Sequence, residues 1–442
     1  MSITLEPRKD FPPPLPRPTQ VRWLIFALAC QASWLLYLHR YAWGVVKPAL
    51  KQEYHFTDVE LGWLDAVFMV TYGLGQVPGG LAGDVWGPHA VLTLLILLWS
   101  GTVAALAVAR SFVALAGVRA VFGLAQAGAY PCLAQVTRSW FPLSVRTTVQ
   151  GAVASLSGRA GAACASLVVA SLLMGLLHLS WRQALEAIAG LGVLLGLTFW
   201  LLFRNRPREH PWANEAERQL IDEGSPPAPT TARPRLLLTG PNVRNLAALL
   251  LYAFTSSFAD MLYLNWIPLF LTEGKGLSSM QMGIFASLPL WGGALGGVTG
   301  GVLNDVLIRL TGSRRAGRSA VAFTGKLMAG VLIATSIVVA DGRWVMVVLG
   351  GCKFFGDWGV STQWGTTTDI GGRASGTVFG AVNMVGAAAA ILAGPVMGAI
   401  KEYYGWEDLF LAVAGIYVLS AACWLFIDCT RRLVVEGDGA GV

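Results

Sequence analysis

The chain has 442 residues, of which 55% are hydrophobic and only 13% charged, and its formal net charge is +7. One or two soluble cores cannot bury that much apolar surface, so the composition excludes an ordinary soluble protein and points to lipid as the solvent. With the soluble classes goes the nucleic-acid partner that a basic balance would otherwise suggest.

Residues 1–20 carry Pro7, Pro12, Pro13, Pro14, Pro16 and Pro18 and read as an extended cytoplasmic tail. No short apolar stretch with a small-residue cleavage site precedes the first long one, so no removable signal peptide is expected. A helix needs ~20 apolar residues to cross a hydrocarbon core of about 30 Å. Six such runs follow: Val21–Val46, Leu61–Ala82, Ala90–Val108, Phe112–Val136, Val149–Leu176 and Ala184–Leu202. They predict a six-helix bundle over 21–203. The linker 204–241 is polar, holds the helix-forming Glu215-Ala216-Glu217-Arg218, and loosens at Ser225-Pro226-Pro227-Ala228-Pro229. Six further runs, Leu246–Leu271, Met280–Leu303, Val321–Ala340, Val345–Thr366, Gly376–Ile400 and Leu409–Ile427, predict a second bundle over 242–428, with a cytoplasmic tail at 429–442. Every run is continuous rather than alternating over ~10 residues, which excludes a β-barrel and leaves an all-α membrane protein of twelve transmembrane helices. The six cysteines form no CxxC pair, so neither a disulfide framework nor a metal cluster is expected.

The cations fall in loops of one parity. Arg8, Lys9, Arg17 and Arg22 precede the first run; Arg138 and Arg146 lie between the fourth and fifth. Seven arginines from Arg204 to Arg244 fill the middle of the chain, Arg309, Arg314, Arg315 and Arg318 follow the eighth run, and Arg431 and Arg432 end it. The positive-inside rule therefore places both termini and the linker in the cytoplasm, in a multi-pass protein of the cell (inner) membrane.

The chain also repeats itself. Gly80-Leu81-Ala82-Gly83-Asp84 follows the second run, and Gly301-Val302-Leu303-Asn304-Asp305 follows the eighth. Positions 80 to 301 and 84 to 305 are 221 apart, half of 442. A six-plus-six duplication around a midplane cavity is a transporter architecture.

The stretch Gly80…Asp84…Gly87 resembles the signature loop of the major facilitator superfamily, although Val85, Pro88 and His89 replace its usual basic residues. Further stretches resemble that family's anion:cation symporter branch, which includes sugar-acid transporters. These are Tyr37-Leu38-His39-Arg40, Tyr72…Pro78-Gly79-Gly80, Arg119…Gly123…Gln126 with Pro131, Trp140-Phe141-Pro142, Arg208-Glu209-His210-Pro211-Trp212, and Asn383-Met384-Val385-Gly386 with Pro395. The resemblance implies the major facilitator fold and gives Gly80, Asp84, Gly87 and Asp305 the part of a conformational gate. It also assigns Arg40 and Arg119 to substrate recognition and coupling.

Charges inside a span cost roughly 3 kcal/mol each on insertion scales, so they face a cavity, pair, or serve function. Arg40, Arg119, Arg159 and Lys353 are the cations, Asp260 and Asp357 the acids, and the surplus of cation suggests a site for a small organic anion. A guanidinium fork can hold a carboxylate by two hydrogen bonds. Tyr37, Tyr72, Gln126, Ser361, Trp364 and Asn383 are expected around the substrate, against the plainer alternative that they bond or pack helix to helix.

Proton-coupled members of the branch have Asp before the first arginine and Glu seven residues after the second; here stand His39 and Gln126. Coupling candidates are therefore His39, Asp260 and Asp357, the last set against a neutralising pair with Lys353 four residues away. The expected function is secondary transport of a sugar acid or other carboxylate by alternating access, in symport with H+, by a monomer needing no cofactor. The alternatives are an organophosphate:phosphate antiporter, disfavoured by the lack of arginine in Leu246–Leu271, and a transporter-fold sensor that moves nothing. No nucleophile and base constellation or phosphate loop suggests an enzyme.

Overall fold

The computed structural model describes residues 17–222, 235–236, 239–267, 270 and 288–435. The proline tail as far as residue 16, the loose stretch Ser225–Pro229 and the start of the expected eighth span at Met280 lie outside them. The first half comprises α1 (Val21–Tyr54), α2 (Asp58–Trp86), α3 (Pro88–Val108), α4 (Phe112–Trp140), α5 (Arg146–Leu176) and α6 (Trp181–Leu202). After a short linker helix, Glu215–Asp222, come α7 (Gly240–Met261), α8 (Leu288–Thr311), α9 (Arg314–Thr335) and α10 (Gly342–Gly371). The stretch Ser375–Phe426 breaks at Gly405, whose φ of 91° suits a residue without Cβ, and so yields α11 (375–404) and α12 (406–426). A two-residue antiparallel pair, β1 (Arg235–Leu236) with β2 (Val434–Val435), ties the end of the linker to the C-terminal tail.

Local sequence sets where these helices start. Thr57 and Glu60 form a capping box at α2, Ser180 and Gln183 another at α6, and Ser111, Ser313 and Asp341 cap α4, α9 and α10. Several helices overrun the expected spans, as α1 does to Tyr54. On length and composition alone, Val21–Tyr54, Pro88–Val108, Phe112–Trp140, Arg146–Leu176, Trp181–Leu202 and Gly342–Phe426 can cross a membrane. α5 is not a uniform α-helix: it turns into π geometry at Ala152–Ser157 and again at Ser166–Leu176.

Each half has its own core, built on Trp99, Phe122 and Phe199 in the first and on Tyr417, Phe410 and Met346 in the second. The linker helix belongs to the first bundle. Its buried Glu217 accepts from Thr19 Oγ1 (2.5 Å), from the backbone N of Val21 (2.9 Å) and Arg22 (3.0 Å), and from Arg22 Nη1 (3.3 Å), capping α1 with a carboxylate.

The bundles meet along α2 against α11 and α5 against α8, at the end that carries the chain termini. Asp84 accepts hydrogen bonds from Gly376 N (2.9 Å), Thr377 N (2.7 Å) and Thr377 Oγ1 (2.6 Å) at the start of α11, and from Gln135 Nε2 (2.8 Å). Its counterpart Asp305 accepts from Thr148 N (2.8 Å) and Oγ1 (2.7 Å) near the start of α5. The 221-residue repeat is thus a repeat of one device, a carboxylate on the free N–H groups of a helix start. Close approach needs glycine: a methyl on Gly80 would collide with Gly376 O.

Candidate functional site

A cavity of about 890 Å³ lies between the bundles, closed toward the terminus-bearing end and reaching Lys47 and Asp65 at the opposite rim. Its floor is aromatic: Trp364 from α10 meets Tyr130 from α4 edge-on at 5.1 Å and Phe379 from α11 at 4.7 Å.

Arg40 lines this cavity. Its guanidinium lies 4.5 Å from the Tyr72 ring centroid, 5.1 Å from Tyr37 and 5.3 Å from Phe68, and its Nε donates to Gln126 Oε1 at 2.9 Å. Gln126 Nε2 in turn donates to Leu36 O at 3.0 Å, which fixes the amide with its oxygen toward Arg40. No carboxylate among the described residues lies within ion-pair distance of Arg40, and its Nη2 is buried without a partner. A caged cation with an unused donor is arranged to receive an oxyanion.

Arg119 is placed differently from the expectation. It does not line the cavity; only 3% exposed, it sits 4.6 Å from the rings of both Trp43 and Phe68. Its donors go to Leu64 O (3.3 Å) and to Asp65 Oδ1 (3.4 Å). Asp65 also accepts from Trp43 Nε1 (2.6 Å) and Lys47 Nζ (2.5 Å), so a knot of two cations on one acid forms the rim.

On the facing wall stand the other charges. Arg159 of α5 is bonded to Asp357 of α10, a contact that crosses between bundles. Lys353 Nζ reaches Asp357 Oδ1 at 2.8 Å and Asp260 Oδ1 of α7 at 2.6 Å. The intrahelical pair of Lys353 with Asp357 exists, and Asp260 is paired rather than alone. Two cations and two acids cancel, leaving Arg40 as the cavity's unbalanced charge apart from the rim. Behind Ser256, Lys326 adds one more cation, 1% exposed and donating to Ser256 Oγ at 2.8 Å. Sequence reading passed over both Lys326 and Asp65, although each is an ionisable residue inside an expected span and could have been found on that signal.

Asn383 and Trp364 line the cavity as expected, with Asn383 Nδ2 donating to Gln76 Oε1 across the bundles at 3.3 Å. Tyr72 backs the Arg40 cage rather than lining the opening. Two more of the expected residues lie outside the cavity. Ser361, wholly buried, has its Oγ 3.4 Å from Trp358 O and packs where α10 crosses α5 and α8. His39 faces α6, with Nε2 2.9 Å from Ile188 O, because adjacent residues on a helix point about 100° apart and Arg40 takes the inward direction. His39 touches neither the cavity nor a carboxylate. Gly87 ends α2 with φ of 80° and shapes the loop, while Asp84 and Asp305 make the gate contacts described above.

The profile of the Major Facilitator Superfamily matches residues 29–394. A probable sulfoacetate transporter of Cupriavidus necator is 27% identical, covering 96% of this chain and 97% of its own. A probable galactarate/D-glucarate transporter of Bacillus subtilis is 28% identical, with 97% of each covered. Among solved structures, FucP in the outward conformation shares the fold with a TM-score of 0.68 and 15% identity, covering 92% of this chain and 99% of that one.

Proposed function

The chain belongs to the major facilitator superfamily, and from that premise we propose that it is a secondary transporter of a small organic anion, a sugar acid or similar carboxylate. The relatives are named as probable transporters of sulfoacetate and of galactarate/D-glucarate, both small oxyanions, which supports this class. The observation that carries the reading is Arg40: a cation on the cavity wall, held by Gln126 and three aromatic rings, with no carboxylate within ion-pair distance among the described residues.

In this reading the anionic end of the cargo binds the vacant donor of Arg40, and its hydroxyl-bearing remainder meets Asn383, Gln363 and the balanced ionic cluster. With both termini in the cytoplasm of a cell with this protein in its inner membrane, the conformation is outward-facing, its cytoplasmic end held shut by Asp84 and Asp305. Inward opening breaks those two latches while the rim around Asp65 closes. A single chain supplies both walls, so a monomer suffices. Protons enter through Asp260 and Asp357, the acids of the ionic cluster facing Arg40, since Gln126 cannot titrate and His39 lies outside the cavity.

Uptake of labelled sugar acids into proteoliposomes, with and without a pH gradient, tests the reading. Arg40→Ala abolishes uptake while the protein still inserts and folds; normal uptake by this variant, or ligand binding by the wild type without flux under any gradient, refutes it.

A further inference from the structure

At the terminus-bearing end a second cavity, of about 440 Å³, lies between the bundles, beyond the latches and apart from the central one. Arg138 and Arg146 line it from the first bundle; Arg314, at the start of α9, and Arg432, in the C-terminal tail, line it from the second. The acids nearby are already engaged. Asp369, on the wall, holds Arg318 at 2.9 Å, and Asp428 is taken by Thr430, by Arg431 at 3.4 Å and by Arg315 at 3.7 Å. Arg146, 6% exposed, spends its hydrogen bonds on Phe141 O at 3.1 and 2.9 Å. Neither it nor Arg314 nor Arg432 has a carboxylate within ion-pair distance among the described residues. Arg318, next to this wall, keeps Nε and Nη1 buried without a partner.

Guanidinium groups from two bundles converge on one cavity, and the single carboxylate among its lining residues, Asp369, already holds Arg318, so positive charge is in excess there. We propose that this cavity binds a phosphate-type dianion, a free phosphate or the phosphomonoester headgroup of a lipid, gripped by arginines of both bundles. Arginine forks match phosphate oxygens in pairs, and the volume falls in the range of roughly 300–1,000 Å³ usual for small-ligand sites. The N-terminus of α9, capped by Ser313 beside Arg314, adds donors of the same sign. Since the arginines come from both bundles, the site is complete only while this end is closed. The anion therefore favours the closed arrangement over its opposite by its difference in affinity for the two. The ligand is a regulator and not the cargo, because the latch layer and the Tyr130–Trp364 floor separate it from Arg40.

The test uses the full chain in nanodiscs of neutral lipid, titrated calorimetrically with inorganic phosphate, and the same protein in discs containing phosphatidic acid. Spin labels on the α4–α5 and α10–α11 connections report closure. Saturable phosphate binding that favours the short distance, weakened about tenfold by Arg314→Gln and again by Arg432→Gln, supports a free anion. A short distance seen only with phosphatidic acid and lost in the same variants supports the lipid. Both residues are partly or fully exposed, so the variants are expected to fold. Neither response, or responses unchanged in both variants, overturns the proposal. Arg40→Gln keeps the phosphate response; its loss there would place the anion in the central cavity and equally overturn the proposal.

Discussion

Asp357→Asn perturbs an ionic contact that crosses the cavity wall between the bundles. The Asp357 side chain is 1% exposed and serves Lys353 at 2.8 Å as well as Arg159. Without its charge, Lys353 retains Asp260 at 2.6 Å, but Arg159 loses the carboxylate it is bonded to. Breaking a buried pair from one side costs about 3–5 kcal/mol, because the remaining charge stays desolvated. Asparagine keeps a hydrogen-bonding oxygen, so about 3 kcal/mol is expected. Arg159→Gln alone uncovers an acid but leaves Lys353 in place, a loss of about 2 kcal/mol. The double variant restores neutrality and recovers part of both losses, giving a coupling energy of about 2 kcal/mol. Denaturant-induced unfolding of the four purified proteins measures the cycle. Additive single effects, with a coupling below about 0.5 kcal/mol, would show that the contact does not hold the bundles together.

Two further outcomes follow from the geometry. Asp84→Ala removes an acceptor shared by four donors, three of them on α11 across the bundle interface, and at roughly 1 kcal/mol or more for each of these three this shifts the closed arrangement toward opening by about a hundredfold. Spin labels on the α4–α5 and α10–α11 connections should then report a longer distance, and an unchanged one counts against the latch. Gln126→Glu places a charge where an amide now holds Arg40 at 2.9 Å, so the anion must compete with it. Half-saturation at neutral pH is expected to rise about tenfold and to recover as pH falls, since protonating the new carboxyl frees Arg40 again. A pH-independent affinity would mean that Arg40 does not hold the cargo.

Which segments form helices was readable from sequence; direction around each helix was not. Long apolar runs marked the spans because lipid demands them, and the spacing of Gly80 and Asp84 from Gly301 and Asp305 gave the duplication that the two latches display. Arg40 lines the cavity, with Tyr37 and Gln126 beside it. Arg119, His39 and Ser361 were expected at the centre and instead face the rim, α6 and a helix crossing. A helix apolar on nearly all sides has no stripe to show which way it faces, so hydropathy leaves its rotation open. α5 compounds this, since its π turns at Ala152–Ser157 slip the register by one residue just before Arg159 and turn that side chain toward α10. Pairing was likewise hidden: Asp260 has no basic neighbour in sequence and finds Lys353 only because α7 packs near α10.

Half of the hydrogen bonds that the gate carboxylates accept come from main-chain amides. Asp84 takes the N–H groups of residues 376 and 377, and Asp305 that of residue 148. Every non-proline residue supplies that group, so the receiving helix need add only a small residue at the crossing and one threonine hydroxyl, from Thr377 or Thr148. Closure is thereby insulated from the choice of cargo: residues around Arg40 can diversify toward new anions without retuning the machinery that opens and shuts the protein.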